Sequence, residues 1–197
     1  MIKLNIYFYG GRVYMLILAS KSPRRKELLS LITRDFEIIP AVGEEKADRS
    51  LPPSEYVTEL ARHKAEEIAC SRPDDIVIGA DTVVAIGNEI LGKPKDEADA
   101  RRMLKLLSGC EHSVYTGTYI TSRNKNTGFC EETKVRFFAL SEREIDDYIA
   151  TGEPFDKAGA YGIQDLGALL VSGITGDYYN VMGLPVGRLA RELKNFG

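Results

Sequence analysis

Apolar and polar positions along this chain follow two different periods, which indicates a mixed α/β protein. Residues 16–19 and 76–80 are short and almost wholly apolar, as expected for buried strands. Over residues 54–70 and 96–107 the apolar positions recur every three or four residues, which is the spacing of one helix face. The elements do not form a regular strand–helix–strand series, so we predict a mixed sheet within an α/β fold of the α+β type.

The second half of the chain predicts a long antiparallel hairpin. Residues 112–122 and 129–140 alternate apolar and polar side chains on either side of a polar stretch at 124–128. Smaller expected elements are a helix over 24–31, a hairpin turn at 87–88, a helix opened by a capping box at 141, a strand over 168–171 and a closing helix over 185–196.

Length and composition limit the class of protein. The 197 residues suit one large domain or one domain with two lobes, and the net charge of -3 argues against a general polyanion binder. The three cysteines, Cys70, Cys110 and Cys130, are far apart, which argues against a disulfide framework or a zinc site. No apolar run has membrane-spanning length and no secretory pattern opens the chain. We expect a soluble cytoplasmic protein that binds neither nucleic acid nor membrane.

The first 14 residues differ in character from the rest of the chain. They are rich in aromatic residues, and Met15 then opens a clean strand. We therefore expect residues 1–14 to be an N-terminal extension or upstream sequence, and residues 15–197 to form a single domain.

Residues 20–26 predict a phosphate-binding site. Their sequence, Ser-Lys-Ser-Pro-Arg-Arg-Lys, places hydroxyl and basic side chains at the start of a helix, where unpaired N–H groups and the helix dipole favour an anion. The alternative is a capped surface helix with solvated arginines. That alternative explains Ser22 and Pro23 but leaves three consecutive basic residues at the positive end of the dipole. We expect Ser20, Arg24 and Arg25 to contact phosphate, most simply that of a nucleoside triphosphate.

Asp81 follows the most apolar strand of the chain. Aspartate is also a common turn residue, but the apolar sequence continues directly after Thr82, which favours a metal ligand or a general base. Lys93 lies between Gly92, expected to permit close approach, and a stiffening proline. Taken singly, Lys64 and Glu45 are weak candidates, because lone charges are usually solvated.

The segment 152–164 is too specific in composition for a linker. Gln164 could read the edge of a base through its amide, although a structured Ω-loop without such a role explains the same composition. We expect the two histidines, His63 and His112, to be structural or surface groups.

Taken together, these segments resemble the Maf family of nucleoside triphosphate pyrophosphatases. The resemblance covers the chain from Met15 onward. It rests on six motifs in the family's order: LILASKSPRRKELL, GADTVV, LGKP, the LSG and HSVYTG region, GEPFDKAGAYGIQ and GDYYNVMGLP.

The resemblance implies hydrolysis of a nucleoside triphosphate to the monophosphate and pyrophosphate, with Mg²⁺ or Mn²⁺ as cofactor. It implies an elongated two-lobed fold, similar to inosine triphosphatase-like folds, with a central mixed sheet, a deep cleft and a homodimeric state. By position, Ser20, Arg24 and Arg25 match the phosphate-contacting loop. The catalytic cluster matches Glu45, Lys64, Asp81 and Lys93, with Asp81 and Glu45 at the metal and Asp81 as the proton acceptor. The specificity positions match Arg24, Thr82 and Gln164.

The AYGIQ form looks like the branch that acts on dTTP and UTP, and modified pyrimidine nucleotides also fit that branch. Two positions depart from the family pattern: Glu44 precedes Glu45 where many relatives have aspartate, and Asp165 follows Gln164 where glycine is common. The alternative function is a non-catalytic nucleotide-binding regulator of cell division that uses the same pocket.

Overall fold

The computed structural model describes residues 8–9, 12–43 and 47–196, and it has the predicted mixed α/β architecture. The strands are β1 (Phe8–Tyr9), β2 (Arg12–Val13), β3 (Leu16–Leu18), β4 (Glu37–Ile38), β5 (Ile76–Ile86), β6 (Glu89–Leu91), β7 (Glu111–Ser122), β8 (Lys125–Phe137) and β9 (Val171–Thr175). The α-helices are α1 (Pro23–Ser30), α2 (Pro53–Ser71), α3 (Glu97–Leu107), α4 (Glu142–Ala150), α5 (Tyr178–Met182) and α6 (Val186–Leu193). Short 3₁₀ helices span Glu153–Asp156, Ala158–Ala160, Asp165–Leu170 and Lys194–Phe196.

The central sheet is mixed, as predicted. Within the described residues it has seven strands, in the order β4-β3-β5-β7-β8-β9 with β6 also paired to β5. Strand β3 runs parallel to both β4 and β5, whereas β6 pairs antiparallel with β5 and β9 antiparallel with β8. Strands β1 and β2 form a separate antiparallel pair.

The described chain divides into two compact units. Unit 1 comprises the described residues up to Asp81, together with 116–131 and 183–196, and unit 2 comprises 82–115 and 132–182. Strands β5, β7 and β8 contribute residues to both units.

In unit 1, helix α2 lies unusually close to the sheet because two strands carry glycine beneath it. A Cβ on Gly79 of β5 would lie 2.1 Å from the Ala61 carbonyl oxygen. A Cβ on Gly117 of β7 would lie 2.4 Å from the Val57 carbonyl oxygen. Both clashes are with helix backbone, which cannot rotate away as a side chain can. The position of α2 therefore depends on glycine at both sites. Ala65 on the same helix is fully buried and completes this small-residue contact.

The predicted long hairpin is present, but its turn is shorter than the sequence suggested. Strands β7 and β8 are joined by only Arg123 and Asn124, and a two-residue connection requires antiparallel strands. The expected polar loop at 124–128 is therefore wrong, because residues 125–128 belong to β8. Gly128 lies inside that strand against the ring of Tyr119, whose Cδ2 would be 3.0 Å from an added Cβ.

For most other elements, the bounds predicted from local sequence signals agree with the structure to within one or two residues. The Ser141 side chain accepts the Glu144 N–H at 3.3 Å while the Glu144 carboxylate accepts the Ser141 N–H at 2.8 Å, which is the predicted capping box. The expected strand over 168–171 is wrong: these residues complete a 3₁₀ helix that ends at Leu170, and β9 begins only at Val171.

In unit 2, a buried histidine packs within an aromatic cluster. The His112 side chain is 3% exposed, meets the rings of Phe137 and Tyr161 edge-on, and lies with Nε2 2.7 Å from the Tyr161 hydroxyl. Its Nδ1 has no partner among the described residues. Burial lowers the pKa of His112 to about 4. His112 is therefore a neutral core group, as expected, while His63 lies on the surface of unit 1 beside Glu59.

Among the described residues, none of the helices combines the length and the apolar character that crossing a membrane would require.

We expect Gly79→Ala to destabilise the protein by about 3 kcal/mol, because the added methyl group must displace the backbone of α2. Urea unfolding measures this change. Gly92→Ala is the control, because a Cβ there meets nothing within 4 Å, and we expect its stability to be close to that of the wild type. Equal midpoints for the two variants would contradict the close approach of α2.

Protonation of His112 should destabilise the fold at acidic pH. Because the pKa falls from 6.5 in the unfolded chain to about 4 in the folded protein, the unfolded chain binds the extra proton between these values. This contribution to stability is complete above pH 6.5 and is lost as the pH falls towards 4, by about 3 kcal/mol in total. The free energy of unfolding, measured from pH 7 to pH 4.5, should fall more steeply in the wild type than in His112→Gln, which cannot titrate.

Candidate active site

The start of α1 is organised around a serine and an arginine. Ser22 caps the helix by accepting the Arg25 N–H at 3.3 Å. The buried Ser20 hydroxyl accepts the Ser22 N–H at 3.2 Å and lies 3.4 Å from Nη1 of Arg25. Nε of Arg25 donates to the Gly183 carbonyl at 2.9 Å. The guanidinium is therefore oriented by contacts with two separate segments of unit 1.

This arrangement suits an anion. The first turn of α1 carries Arg24 and Arg25 and no acidic residue, so two basic residues lie at the positive end of the helix dipole. Arg24 is partly buried. An anionic ligand reverses the unfavourable electrostatics of this arrangement.

Asp81 forms a close ion pair with Lys64. The Lys64 Nζ lies 2.5 Å from Oδ1 of Asp81, and each side chain is only 14% exposed. Lys64 is on α2 and Asp81 on β5, so the pair depends on the same close approach that Gly79 permits two residues earlier. Both partners are largely shielded from water, so removing either one would leave the other charge buried without its partner.

Asp81 lies in the middle of β5, which continues to Ile86, whereas the parallel strand β3 ends at Leu18, a few residues before the start of α1. Leu18 pairs with Ile78, and the Ala19 N–H still donates to the Ile78 carbonyl at 2.8 Å. Ser20 is the next residue after Ala19, so the chain turns towards α1 at about the level where β5 reaches Asp81. Ligands of open α/β sheets bind outside the carboxyl ends of parallel strands, and here the strand that ends at this level is β3.

Glu67, which the sequence analysis did not single out, anchors the chain near another candidate. Its carboxylate accepts the N–H groups of Val42 and Gly43 at 2.8 and 3.0 Å. A Cβ on Gly43 would lie 2.7 Å from Oε2 of Glu67, so the glycine makes room for this contact. Glu67 lies one turn after Lys64 on α2. Glu45 itself lies outside the described residues, and its assignment stays a prediction.

Unit 2 carries three of the candidates. Thr82 follows Asp81 within β5 and is partly buried, and Lys93 is exposed on the loop after β6. A Cβ on Gly92 would meet nothing within 4 Å among the described residues, so no other part of the described chain approaches this glycine closely where a side chain would project. That loop is instead held by the Gly92 carbonyl, which accepts the Gly159 N–H at 3.0 Å.

Gln164 is partly exposed and lies immediately before a 3₁₀ helix. The next residue, Asp165, has φ of +53°, a left-handed conformation that favours glycine. The departure from the family pattern at this position therefore leaves the glycine-like backbone intact, because aspartate tolerates this region better than most residues.

The structure thus brings Ser20 and Arg25 into contact, with Arg24 beside Arg25 in the sequence of α1, and pairs Lys64 with Asp81 in the same unit. Thr82, Lys93 and Gln164 belong to unit 2. Sequence reasoning missed the Gly183 carbonyl and Glu67. Gly183 lies in a quoted motif, but no pattern along the chain links it to an arginine 158 residues away.

Metal ligands were predicted at Asp81 and Glu45. In the part of the chain that the structure describes, no group of three or more His, Cys, Asp or Glu side chains is arranged to hold a metal ion. The carboxylate of Asp81 nevertheless fits Mg²⁺, which is commonly held by one or two carboxylates together with substrate phosphates.

The family described as Maf-like protein matches residues 15–196. A dTTP/UTP pyrophosphatase of Bacillus cereus (strain ATCC 10987 / NRS 248) is 51% identical over 196 residues, which cover 100% of this chain and 97% of that protein. A dTTP/UTP pyrophosphatase of Bacillus cytotoxicus is 53% identical over 180 residues, covering 91% of this chain and 94% of that protein.

Two solved structures are similar in fold. The Staphylococcus aureus Ham1 protein matches with a TM-score of 0.56 at 14% identity, covering 93% of this chain and 100% of that chain. A HAM1 protein from Coxiella burnetii gives the same values. At this identity the likeness concerns the fold alone, and it confirms the fold class expected from the sequence.

We expect Asp81→Asn to lower turnover of a nucleoside triphosphate by about 10²-fold or more while nucleotide affinity changes little, because the amide accepts no proton but keeps the shape of the side chain. Pyrophosphate release and calorimetric binding measure the two quantities. The matched control is Asp146→Asn, which alters an exposed carboxylate paired with Arg101. Wild-type turnover in Asp81→Asn would remove Asp81 from the chemistry.

Proposed function

Since the chain belongs to the Maf-like protein family, we propose that it hydrolyses dTTP and UTP to the nucleoside monophosphate and pyrophosphate. The observation that carries the proposal is the extent of the match: relatives named dTTP/UTP pyrophosphatase share half of all residues over nearly the whole chain. The same match favours the enzyme over a non-catalytic regulator of cell division. The basic start of α1 and the Lys64–Asp81 pair supply the groups that such chemistry requires.

In this proposal the triphosphate lies against the start of α1. Ser20 and Arg25 bind phosphate oxygens, and the Gly183 carbonyl keeps the Arg25 guanidinium in orientation. Arg24 adds positive charge, and the family resemblance gives Lys93 of unit 2 the role of neutralising the charge of the departing pyrophosphate. Preoriented donors of this kind act where charge develops in the transition state.

Asp81 orients the attacking water and accepts its proton as the water oxygen bonds to phosphorus and the α–β anhydride bond breaks. Lys64 holds the Asp81 carboxylate in position through their ion pair. A divalent cation, Mg²⁺ or Mn²⁺, would be held by Asp81, Glu45 and phosphate oxygens, and would supply neutralisation of the triphosphate charge. Direct ligation lowers the basicity of a carboxylate, so proton acceptance and metal binding are competing roles for Asp81.

In this proposal base selection is assigned to Gln164 and Thr82 of unit 2 and, as the family resemblance implies, also to Arg24 of unit 1. An amide side chain offers one donor and one acceptor, and the Watson–Crick edge of uracil or thymine presents a matching pair. Modified pyrimidine nucleotides with the same edge are further candidates. We also propose that the protein is a cytoplasmic homodimer that binds neither nucleic acid nor membrane. These proposals rest on the family resemblance and the composition.

We expect the purified protein with Mg²⁺ to release pyrophosphate from dTTP and UTP at rates at least about tenfold above those from CTP and GTP, because a well-matched amide contact contributes on the order of 1.4 kcal/mol to discrimination. A coupled pyrophosphate assay across the four nucleotides measures this. If none of the four nucleotides released pyrophosphate, the proposed enzymatic function would be overturned. The nucleotide-binding regulator would then be the remaining proposal.

A further inference from the structure

Gln164 belongs to a loop that is closed at its base. A Cβ on Gly167 would lie 2.1 Å from the Gly162 carbonyl oxygen, so the backbones of these two glycines are in direct contact. Asp165 turns the chain between them with its φ of +53°. The chain from 162 to 167 therefore returns to its starting point, with Gln164 in the middle of the loop.

A buried tyrosine supports the base of this loop. The hydroxyl of Tyr148, on α4, accepts the Gly162 N–H at 3.2 Å and would lie 2.7 Å from a Cβ on Gly167. The side chain is 4% exposed. Burial, reinforced by the nearby Glu153 carboxylate, raises the pKa of Tyr148 to about 12, so the phenol stays neutral throughout the physiological range. Both glycines thus pack against one fixed hydroxyl.

Two charged residues complete the support. Oε1 of Glu153 accepts the Leu166 N–H at 3.4 Å, on the far side of Gln164. The ammonium of Lys157 donates to the Glu153 carbonyl and to the Asp156 carboxylate, both at 2.7 Å. These contacts lay the Lys157 stem across Gly162, where Cε would be 2.8 Å from an added Cβ. The backbone is held two residues before and two residues after Gln164.

We propose that Tyr148, Glu153 and Lys157, together the Gln164 clamp, are positioning residues for base selection. None of them has to touch the nucleotide. An amide distinguishes a carbonyl from an amino group on a base only while its own oxygen and nitrogen keep their orientation. The clamp fixes the loop that sets this orientation. The inference deepens the proposed function and rests on the role given there to Gln164.

The test compares UTP with CTP, whose bases present opposite patterns at C4 and N3: uracil has a carbonyl and an N–H, whereas cytosine has an amino group and an unprotonated nitrogen. Tyr148→Phe removes the hydroxyl that accepts the Gly162 N–H and keeps the ring in the core. We expect the ratio of kcat/KM for UTP to that for CTP to fall roughly five-fold, with kcat for UTP nearly unchanged, because one hydrogen bond that orients the loop is lost. A ratio measured on one preparation is independent of the folded fraction, so a loss of stability alone leaves it unchanged.

Control variants separate the clamp from general damage. Tyr115→Phe also removes a tyrosine hydroxyl from unit 2, one that donates to Glu132 at 2.9 Å, and should keep the wild-type ratio. Lys157→Met keeps the stem but loses the ammonium contacts and should lower the ratio as Tyr148→Phe does. Adding Tyr148→Phe to Gln164→Ala should change the ratio no further, because the clamp acts through Gln164.

The different failures are distinguishable. Wild-type ratios in both Tyr148→Phe and Lys157→Met, beside a lowered ratio in Gln164→Ala, would overturn the clamp and leave the specificity role of Gln164 intact. A wild-type ratio in Gln164→Ala itself would overturn that role and the clamp with it. A wild-type protein that releases no pyrophosphate would overturn the proposed enzyme.

Discussion

The close approach of α2 to the sheet is the constraint on which much of unit 1 depends. Gly79 and Gly117 lie beneath the helix on two strands, and a methyl group at either position would enter helix backbone. Because the helix lies this near, Lys64 reaches Asp81 within ion-pair distance and Glu67 reaches the backbone at residues 42 and 43. The two glycines, which carry no chemistry, thus determine where the charged side chains of α2 act.

Unit 2 differs from unit 1 in that its candidate specificity residue, Gln164, lies on a loop. Loops are usually the more variable part of a fold, yet base selection requires a fixed amide. The contact between Gly162 and Gly167 closes the loop, and the buried Tyr148 hydroxyl lies against both glycines. Buried polar groups elsewhere in the unit, such as His112 against Tyr161, serve packing and have no place in the proposed chemistry.

Sequence reasoning succeeded where the signal is local. The capping box at Ser141 was correctly located, because it depends on residues within one helical turn. The turn of the β7–β8 hairpin and the start of β9 were misplaced by a few residues. Polar side chains at 125–128 resemble a loop in sequence, but pairing along β8 overrides that preference.

The sequence by itself determined the class of fold, the family and the residue types available for phosphate and base recognition, because periodicity and motif order are properties of the chain. Only the tertiary structure decided which groups meet. The contacts of Arg25 with Gly183 and of Lys64 with Asp81 join residues 158 and 17 positions apart. Such contacts follow from the packing of helices on strands, and no local pattern encodes the distance between two side chains brought together in that way.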